Sequence, residues 1–457
     1  MPTTEPFLGV DSARAESPTQ SFAPLKPSAL RKQLPADLKT WRGPAGLDRH
    51  YEPVEAIWKV LEPFFAERGY TLWQHRDFFM TAVSRGGAVS NGFMYATPHR
   101  AYEKLSGSIQ RVLSYEYRNA LTRAARTPDG RDVVFRVLAI GEEGREHVDL
   151  LKTLARGTYS LISANHTLPL LELIELDDIT FGVFPKVAFS CSELYHGWAE
   201  SSVGDILEMI AQCLEALVFL HTCGIAHRDA FKDNFVIQWV PESLRIDYDS
   251  PSSRPRVYMI DFELAIRFPL DSPKEARMCV GRPSGGSLPG PSGRPMPPEV
   301  LSGEPYDPFK LDVWQLGNSI SDFKSTIPEI DKVLVSMVDP DPTSRPTAYE
   351  AMKALLDAVG AIPPGQSFNV IGSDNIPYFG VAIKTVESGG GIGYVLRFAD
   401  NERRSFLRER CEPTEAAATT SPPQEELPNA LSETEPNPPD FPGIHRRTRA
   451  RPYLNQS

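Results

Sequence analysis

Between His227 and Thr347 five short motifs follow one another, each pinned to the edge of an apolar segment. His227-Arg228-Asp229, with Asn234 five places after the aspartate, comes directly behind "DILEMIAQCLEALVFLH", the clearest helix in the chain. Ile206, Ile210, Cys213, Leu217 and Leu220 recur on one face of that helix. Asp205 and Glu208 have the spacing of a capping box at its start. Asp261-Phe262 then closes the apolar run "VYMI", and Pro298-Glu299, Asp312-x-Trp314-x-x-Gly317 and Arg345-Pro346-Thr347 follow in order. One such motif means little. Five in sequence behind a long helix point to a fold that gathers these polar residues for a common task.

Composition narrows the remaining choices. The 457 residues allow two or three average domains, or one large domain with tails. Apolar residues make up 41%, ample for a sizeable core, while 42 prolines are too many for one compact unit and predict disordered ends. A net charge of -11 argues against nucleic acid as a partner, since that binding needs clustered positive charge. Cys191, Cys213, Cys223, Cys279 and Cys411 are scattered without metal-ligand spacing, the pattern of reduced thiols in a cytoplasmic or nuclear protein. The N-terminal stretch lacks the basic start and apolar core of a signal peptide, and no apolar run is long enough for membrane insertion.

Along the chain, residues 1–45 are rich in Pro, Ser, Thr and Ala and are expected to be a disordered N-terminal segment. Residues 46–109 read as an N-terminal extension. Its helix carries Val54, Ile57, Trp58, Leu61, Phe64 and Phe65 at helical spacing and stops near Gly69. From 110 to 361 a mixed unit is expected, strand-rich to about 187 and helical from about 188. "IQRVLSYEYRNALTRAA" and "RDVVFRVLAI" read as successive strands, "EEGREHVDLLKTLA" as a helix, and "LLELIELDDITFGVFPKV" as two more strands. Residues 362–411 form a strand-like extension whose "VAIKTVESGGGIGYVL" reads as a hairpin with a glycine turn. Residues 412–457 are a disordered tail ending in the basic "HRRTRAR".

In the order and spacing of the five motifs, residues 110–361 resemble the eukaryotic protein kinase superfamily, most closely its divergent fungal members. The resemblance is strong in the helical part, weak in the strand-rich part, and covers a little over half of the chain. It implies an α+β, bilobal kinase-like fold with a small strand-rich N-lobe and a larger helical C-lobe, using ATP and Mg²⁺. By the resemblance Asp229 orients the acceptor hydroxyl and takes its proton, supported in the catalytic loop by His227, Arg228 and Lys232. Asn234 and Asp261 hold the metal. Hard oxygen donors suit Mg²⁺, which keeps waters and takes only one or two carboxylates. Glu299 and Arg345 match the family's buried ion pair, and Asp312 matches the residue that holds the catalytic-loop backbone.

The nucleotide side departs from the family. Arg136 in "VVFRVL" stands where the family has a phosphate-anchoring lysine, and its planar fork does not reproduce a compact ammonium. Glu146 is its expected partner, with Glu143 also allowed by spacing. The stretch expected to carry the glycine-rich loop, "RVLSYEYRNALTRA", has no glycine, leaving Arg118, Asn119 and Arg123 as candidate phosphate contacts. Glu263 replaces the glycine after Asp-Phe, and Phe231 replaces a lysine that assists transfer, with Lys232 one place late. The segment from Asp261 to Glu299 is Gly-, Pro- and Ser-rich, and Ser284, Ser287 and Ser292 are acceptors that a phosphorylation paired with Arg228 could use.

Two functions follow. The first is a divergent protein kinase that transfers the γ-phosphate of ATP to a Ser or Thr hydroxyl of a protein substrate. The second is a catalytically inactive pseudokinase that serves as an interaction or scaffold module for a binding partner. A small-molecule phosphotransferase fits less well, because the Pro-Glu and Arg-Pro-Thr elements belong to the helical part of protein kinases.

Overall fold

The structure, a computed structural model, describes residues 27–44, 51–77, 79–82, 91–93, 114–187, 189–191, 203–238, 256–290, 293–321, 323–325 and 327–361. It also describes the backbone of four short strands between 369 and 394.

A mixed α+β architecture is built from a five-stranded antiparallel sheet and a set of helices. In spatial order the strands are Thr71–Leu72, Thr122–Arg126, Asp132–Ile140, Ile179–Pro185 and Glu172–Leu176. The nine-residue strand Asp132–Ile140 lies at the centre, and Val133, Phe135 and Val137 alternate inward as a period of two requires. Helix Glu52–Ala66 buries all six of its expected apolar residues against this sheet. It ends where Gly69 adopts φ 82° and lets the amide of Tyr70 turn back to the carbonyl of Phe65 at 3.0 Å.

The stretch "IQRVLSYEYRNALTRAA", expected as one strand, divides in two. Ser114–Glu116 joins Met80–Ala82 and Gln74–Asp77 in a separate three-stranded sheet, whereas Thr122–Arg126 pairs with Asp132–Ile140 on one side, as expected, and with Thr71–Leu72 on the other. The first strand of the main sheet and the helix over it come from residues ahead of 110, within the expected extension. Residues 1–45 are not coil throughout. Residues 27–44 hold helices Pro27–Arg31 and Leu38–Arg42, the second capped by the Asp37 side chain, which accepts from the amide of Thr40 at 2.7 Å. Leu30, Leu34, Leu38 and Trp41 sink into the core under the sheet, with Trp41 packed edge-on to Trp58 and Phe181. Widely spaced apolar anchors in a Pro- and Ser-rich stretch carry no periodic signal, so composition alone misreads them.

A second apolar cluster is centred on helix Val203–Thr222, whose Ile206, Ile210, Cys213, Leu217 and Leu220 are all buried as their spacing requires. Helices Pro308–Ser319, Pro328–Ser336 and Ala348–Gly360 pack around it. The helix is described from Val203, two residues ahead of Asp205. The capping box of the described residues is Thr347 with Glu350, each bonding the other's backbone amide. Thr347→Ala is expected to lower stability by about 1 kcal/mol, read as a shift of the urea midpoint at constant slope.

Beyond the helices, Thr385–Ser388 and Gly391–Tyr394 pair antiparallel, and the glycine turn expected between them lies outside the described residues. Among the described residues no helix is long and apolar enough to cross a membrane.

Candidate active site

The loop from His227 to Asn234 hangs between two strand pairings, Ile225–Ala226 with Ile266–Arg267 and Phe235–Ile237 with Val257–Met259. Helix Pro308–Ser319 fixes its backbone. Asp312, fully buried, accepts from the amides of His227 at 2.8 Å and Arg228 at 2.6 Å and contacts the His221 ring at 2.9 Å. Gln315 accepts from the amide of Ala230 at 2.9 Å and donates to the carbonyl of Arg228 at 2.9 Å. Ser319 accepts from the amide of Lys232 at 3.0 Å. Residues 312, 315 and 319 lie three and four apart on one helix face, so one face holds three points of the loop. Sequence reading found Asp312 and missed the other two, although their spacing from it was the available signal. With this support Arg228 holds φ 62°, a left-handed conformation that a non-glycine residue adopts only where its surroundings impose it.

Asp229, Asn234, Asp261 and Arg136 come together beside this loop. The Asn234 amide donates to the Asp229 carboxylate at 2.7 Å and to its carbonyl at 2.8 Å, which fixes the Asp229 side chain and leaves the amide oxygen of Asn234 for another ligand. Asp261 is also left-handed, at φ 67° and ψ 60°, and one carboxylate oxygen accepts from the Arg136 guanidinium at 2.5 Å. Burial pushes the Asp229 carboxyl up to about 7; Arg294 pulls it down, while the negative charges of Asp261 and Asp233 push it up further. The His227 ring contacts the carbonyl of Ile260 at 3.0 Å and meets the Phe262 ring edge-on.

Glu146 does not belong to this group. It stands exposed in the first turn of helix Arg145–Leu154, and the carboxylates at Arg136 are Asp261 and, at 3.4 Å, Glu263. Glu143, the other candidate, accepts from the amide of Leu38 at 3.0 Å. The reason is phase. Left-handed Gly144 starts the helix so closely that a Cβ there would lie 2.2 Å from the carbonyl oxygen of Leu138, and this turns His147 inward in place of its neighbour.

Burial and then the nearby Arg136 charge hold the His147 imidazole down to about 3. A histidine depressed in the folded state contributes stability that is present above its ordinary pKa near 6.5 and is lost as pH falls toward 3. His147→Met should therefore flatten the fall in Tm between pH 6.5 and 4, relative to the native chain. Parallel melting curves for the two proteins across that range would show that His147 stays unstrained when charged, against this account.

Glu263, in place of the glycine after Asp261-Phe262, sits two residues from Asp261. Its side chain is bonded by Arg42 at 3.0 Å and by the amide and hydroxyl of Ser287 at 2.9 and 2.6 Å, while Arg42 also donates to the Ser287 hydroxyl at 2.8 Å. Ser287 is buried in that network. Arg228 turns to the carbonyls of Leu264 and Ser284, and Ser292 lies outside the described residues. Of the candidate phosphate contacts, Arg123 is consumed by Glu55, at 2.5 and 3.0 Å, and by the carbonyl of Trp73 at 2.7 Å. Asn119 bonds the amide of Leu121, whereas Arg118 is exposed and its charge acts on Asp233.

Two further residues complete the site. Phe231 is buried under the loop, and the guanidinium of Arg294 lies over its ring, 4.7 Å from the centroid. Arg294 also reaches Asp229 at 2.9 Å and both carboxylate oxygens of Asp233 at 3.0 and 2.8 Å. Away from the loop, Arg345 pairs with Glu299 at 2.7 Å.

Among the described residues no group of three or more His, Cys, Asp or Glu side chains is arranged to hold a metal by itself. A site built from Asp261 and the Asn234 amide oxygen is of a different kind, needing phosphate oxygens and water to complete it. Burial, and after it the charges of Asp261 and Asp233, hold the Asp229 carboxyl up, and a divalent cation relieves an environment of that kind. On that observation the residues fit Mg²⁺.

No family model matches the chain. Part of it is similar to curated protein kinases. It is 33% identical over 107 residues to the serine/threonine-protein kinase ppk8 of Schizosaccharomyces pombe, a match spanning 23% of this chain and 17% of that protein. It is 30% identical over 112 residues to the serine/threonine-protein kinase PAK mbt of Drosophila melanogaster, spanning 24% and 14%. It is 29% identical over 109 residues to the sperm motility kinase Z of Mus musculus, spanning 24% and 17%. The matches thus span less than a fifth of each relative's length, and together they support a protein-kinase-like region in this chain.

Proposed function

We propose that the chain is a divergent protein kinase with a two-lobed, kinase-type fold, transferring the γ-phosphate of ATP to a Ser or Thr hydroxyl of a protein. The kinase-like unit, on this reading, starts near residue 27 instead of 110. The observation that carries the proposal is the convergence of Asp261 with Asp229 and Asn234, the last two in a loop braced by Asp312, Gln315 and Ser319.

Asp229 orients the acceptor hydroxyl and takes its proton, and a carboxyl raised to about 7 accepts a proton efficiently near neutral pH. In the transfer the acceptor oxygen forms the new bond to phosphorus. The bond from phosphorus to the bridging oxygen breaks with its electrons left on ADP. Asp261 and Asn234 hold Mg²⁺, which when bound neutralises phosphate charge. Arg136 faces the same phosphates from the central strand.

A second reading has one observation in its favour. Arg294 is already paired with Asp229, and Arg136 with Asp261, so the chain satisfies these carboxylates internally, as a pseudokinase scaffold would. Incubating the full chain with γ-labelled MgATP and a mixture of Ser/Thr peptides separates the two. Transfer of label to the peptides supports the kinase. Tight nucleotide binding without transfer supports the scaffold.

A further inference from the structure

We propose that Arg294 supplies the cation facing the γ-phosphate, in place of the lysine that Phe231 displaces; this rests on the kinase reading above. Phe231 removes the positive charge from its place in the loop and presents a ring. The guanidinium of Arg294 lies on that ring, 4.7 Å from its centroid, so the lost charge returns from a distant segment at the same spot. It meets Asp229 through Nε at 2.9 Å and grips Asp233 with both terminal nitrogens at 3.0 and 2.8 Å. Two of its five N–H groups donate to Asp233 among the described residues, Nε faces Asp229 as an ion pair, and each terminal nitrogen keeps one N–H for an anion.

The two substitutions depend on each other. A lysine at 231 would repel a guanidinium in this place, and an arginine at 294 without the ring beneath it would have only carboxylates to define its plane. The backbone is suited to the task as well. Pro295, Pro297 and Pro298 follow Arg294 and fix their own φ, Pro295 also holds Arg294 out of the α region, and Glu299, tied to Arg345, anchors the segment five residues on. Asp229 and Asp233 thus act as the positioning groups that aim Arg294, and Phe231 as its platform.

The test measures calorimetric binding of MgATP and MgADP to the full chain, to Arg294→Gln, and to Arg294→Gln combined with Phe231→Lys. A cation on the γ-phosphate is felt by ATP alone. Arg294→Gln should weaken MgATP binding by about tenfold and leave MgADP within about twofold, the unchanged MgADP affinity reporting an intact fold. Adding Phe231→Lys should restore the preference for ATP. Equal weakening of both nucleotides, or tighter MgATP binding by Arg294→Gln as expected of a plug, overturns the assignment and leaves the kinase reading standing. Failure of Phe231→Lys to restore the preference likewise overturns the exchange of charge between 231 and 294. Absence of binding of either nucleotide to the native chain overturns the kinase reading, and this inference with it.

Discussion

Arg345→Ala is expected to cost about 3–5 kcal/mol of stability, since removing one partner of a buried ion pair strands the other. Arg345 is 1% exposed and bonds Glu299 at 2.7 Å, the carbonyl of Asp339 at 3.1 and 2.8 Å, and the carbonyl of Lys310 at 3.0 Å. Deletion of its side chain removes the donor to Glu299 and to the carbonyls of Asp339 and Lys310, in a region where, among the described residues, one Glu299 oxygen already lacks a partner. Glu299→Gln, which keeps an amide oxygen facing Arg345, should cost less. Urea denaturation of both variants reads the difference, and a loss below about 1 kcal/mol for Arg345→Ala would contradict the structural role assigned to the pair.

Asp229→Asn is expected to lower kcat by about 10²–10⁴-fold, the contribution of a positioned general base, while MgATP affinity is kept. The amide matches the carboxylate in shape, so the bond from Asn234 has an acceptor available after the change. Removing the charge also removes the crowding with Asp233 and Asp261, so the variant should fold at least as well as the native chain at pH 8. Turnover within tenfold of native would mean that another group takes the proton.

These predictions draw unequally on what the sequence discloses. The loop from His227 to Asn234 was legible because its informative residues are close in sequence. Asp312 was found through the motif Asp312-x-Trp314-x-x-Gly317, and Gln315 and Ser319 were within reach of it by helical spacing. In the strand-rich part Asp132–Ile140, Glu172–Leu176 and Ile179–Pro185 were legible as strands, and the edge of the sheet was not, for topological reasons. The edge strand Thr71–Leu72 is two residues long, too short for any alternation to register, and nearly fifty residues separate it from its partner strand Thr122–Arg126. Glu146 failed by one place, because periodicity fixes the face of a helix only after its start is known, and Gly144 set that start.

The charges around the nucleotide side were the least visible. Arg42 and Glu263 are 221 positions apart, and Arg294 lies 61 from Asp233. Neither pair leaves a local trace. Taken alone, Glu263, Arg136 and Phe231 each read as damage to a kinase pattern. In space Glu263 and Asp261 receive Arg136, and Phe231 receives Arg294, so substitutions that look like losses are met by partners elsewhere in the chain.

The most direct measurement is the thermal unfolding of the full chain with and without millimolar MgATP, compared between the native protein and Asp261→Ala. A ligand that binds only the folded state raises Tm. The account predicts a rise that requires Mg²⁺ and disappears in Asp261→Ala. An unchanged Tm for the native chain, or a rise that persists without Asp261, would contradict the placement of a metal-nucleotide at this site.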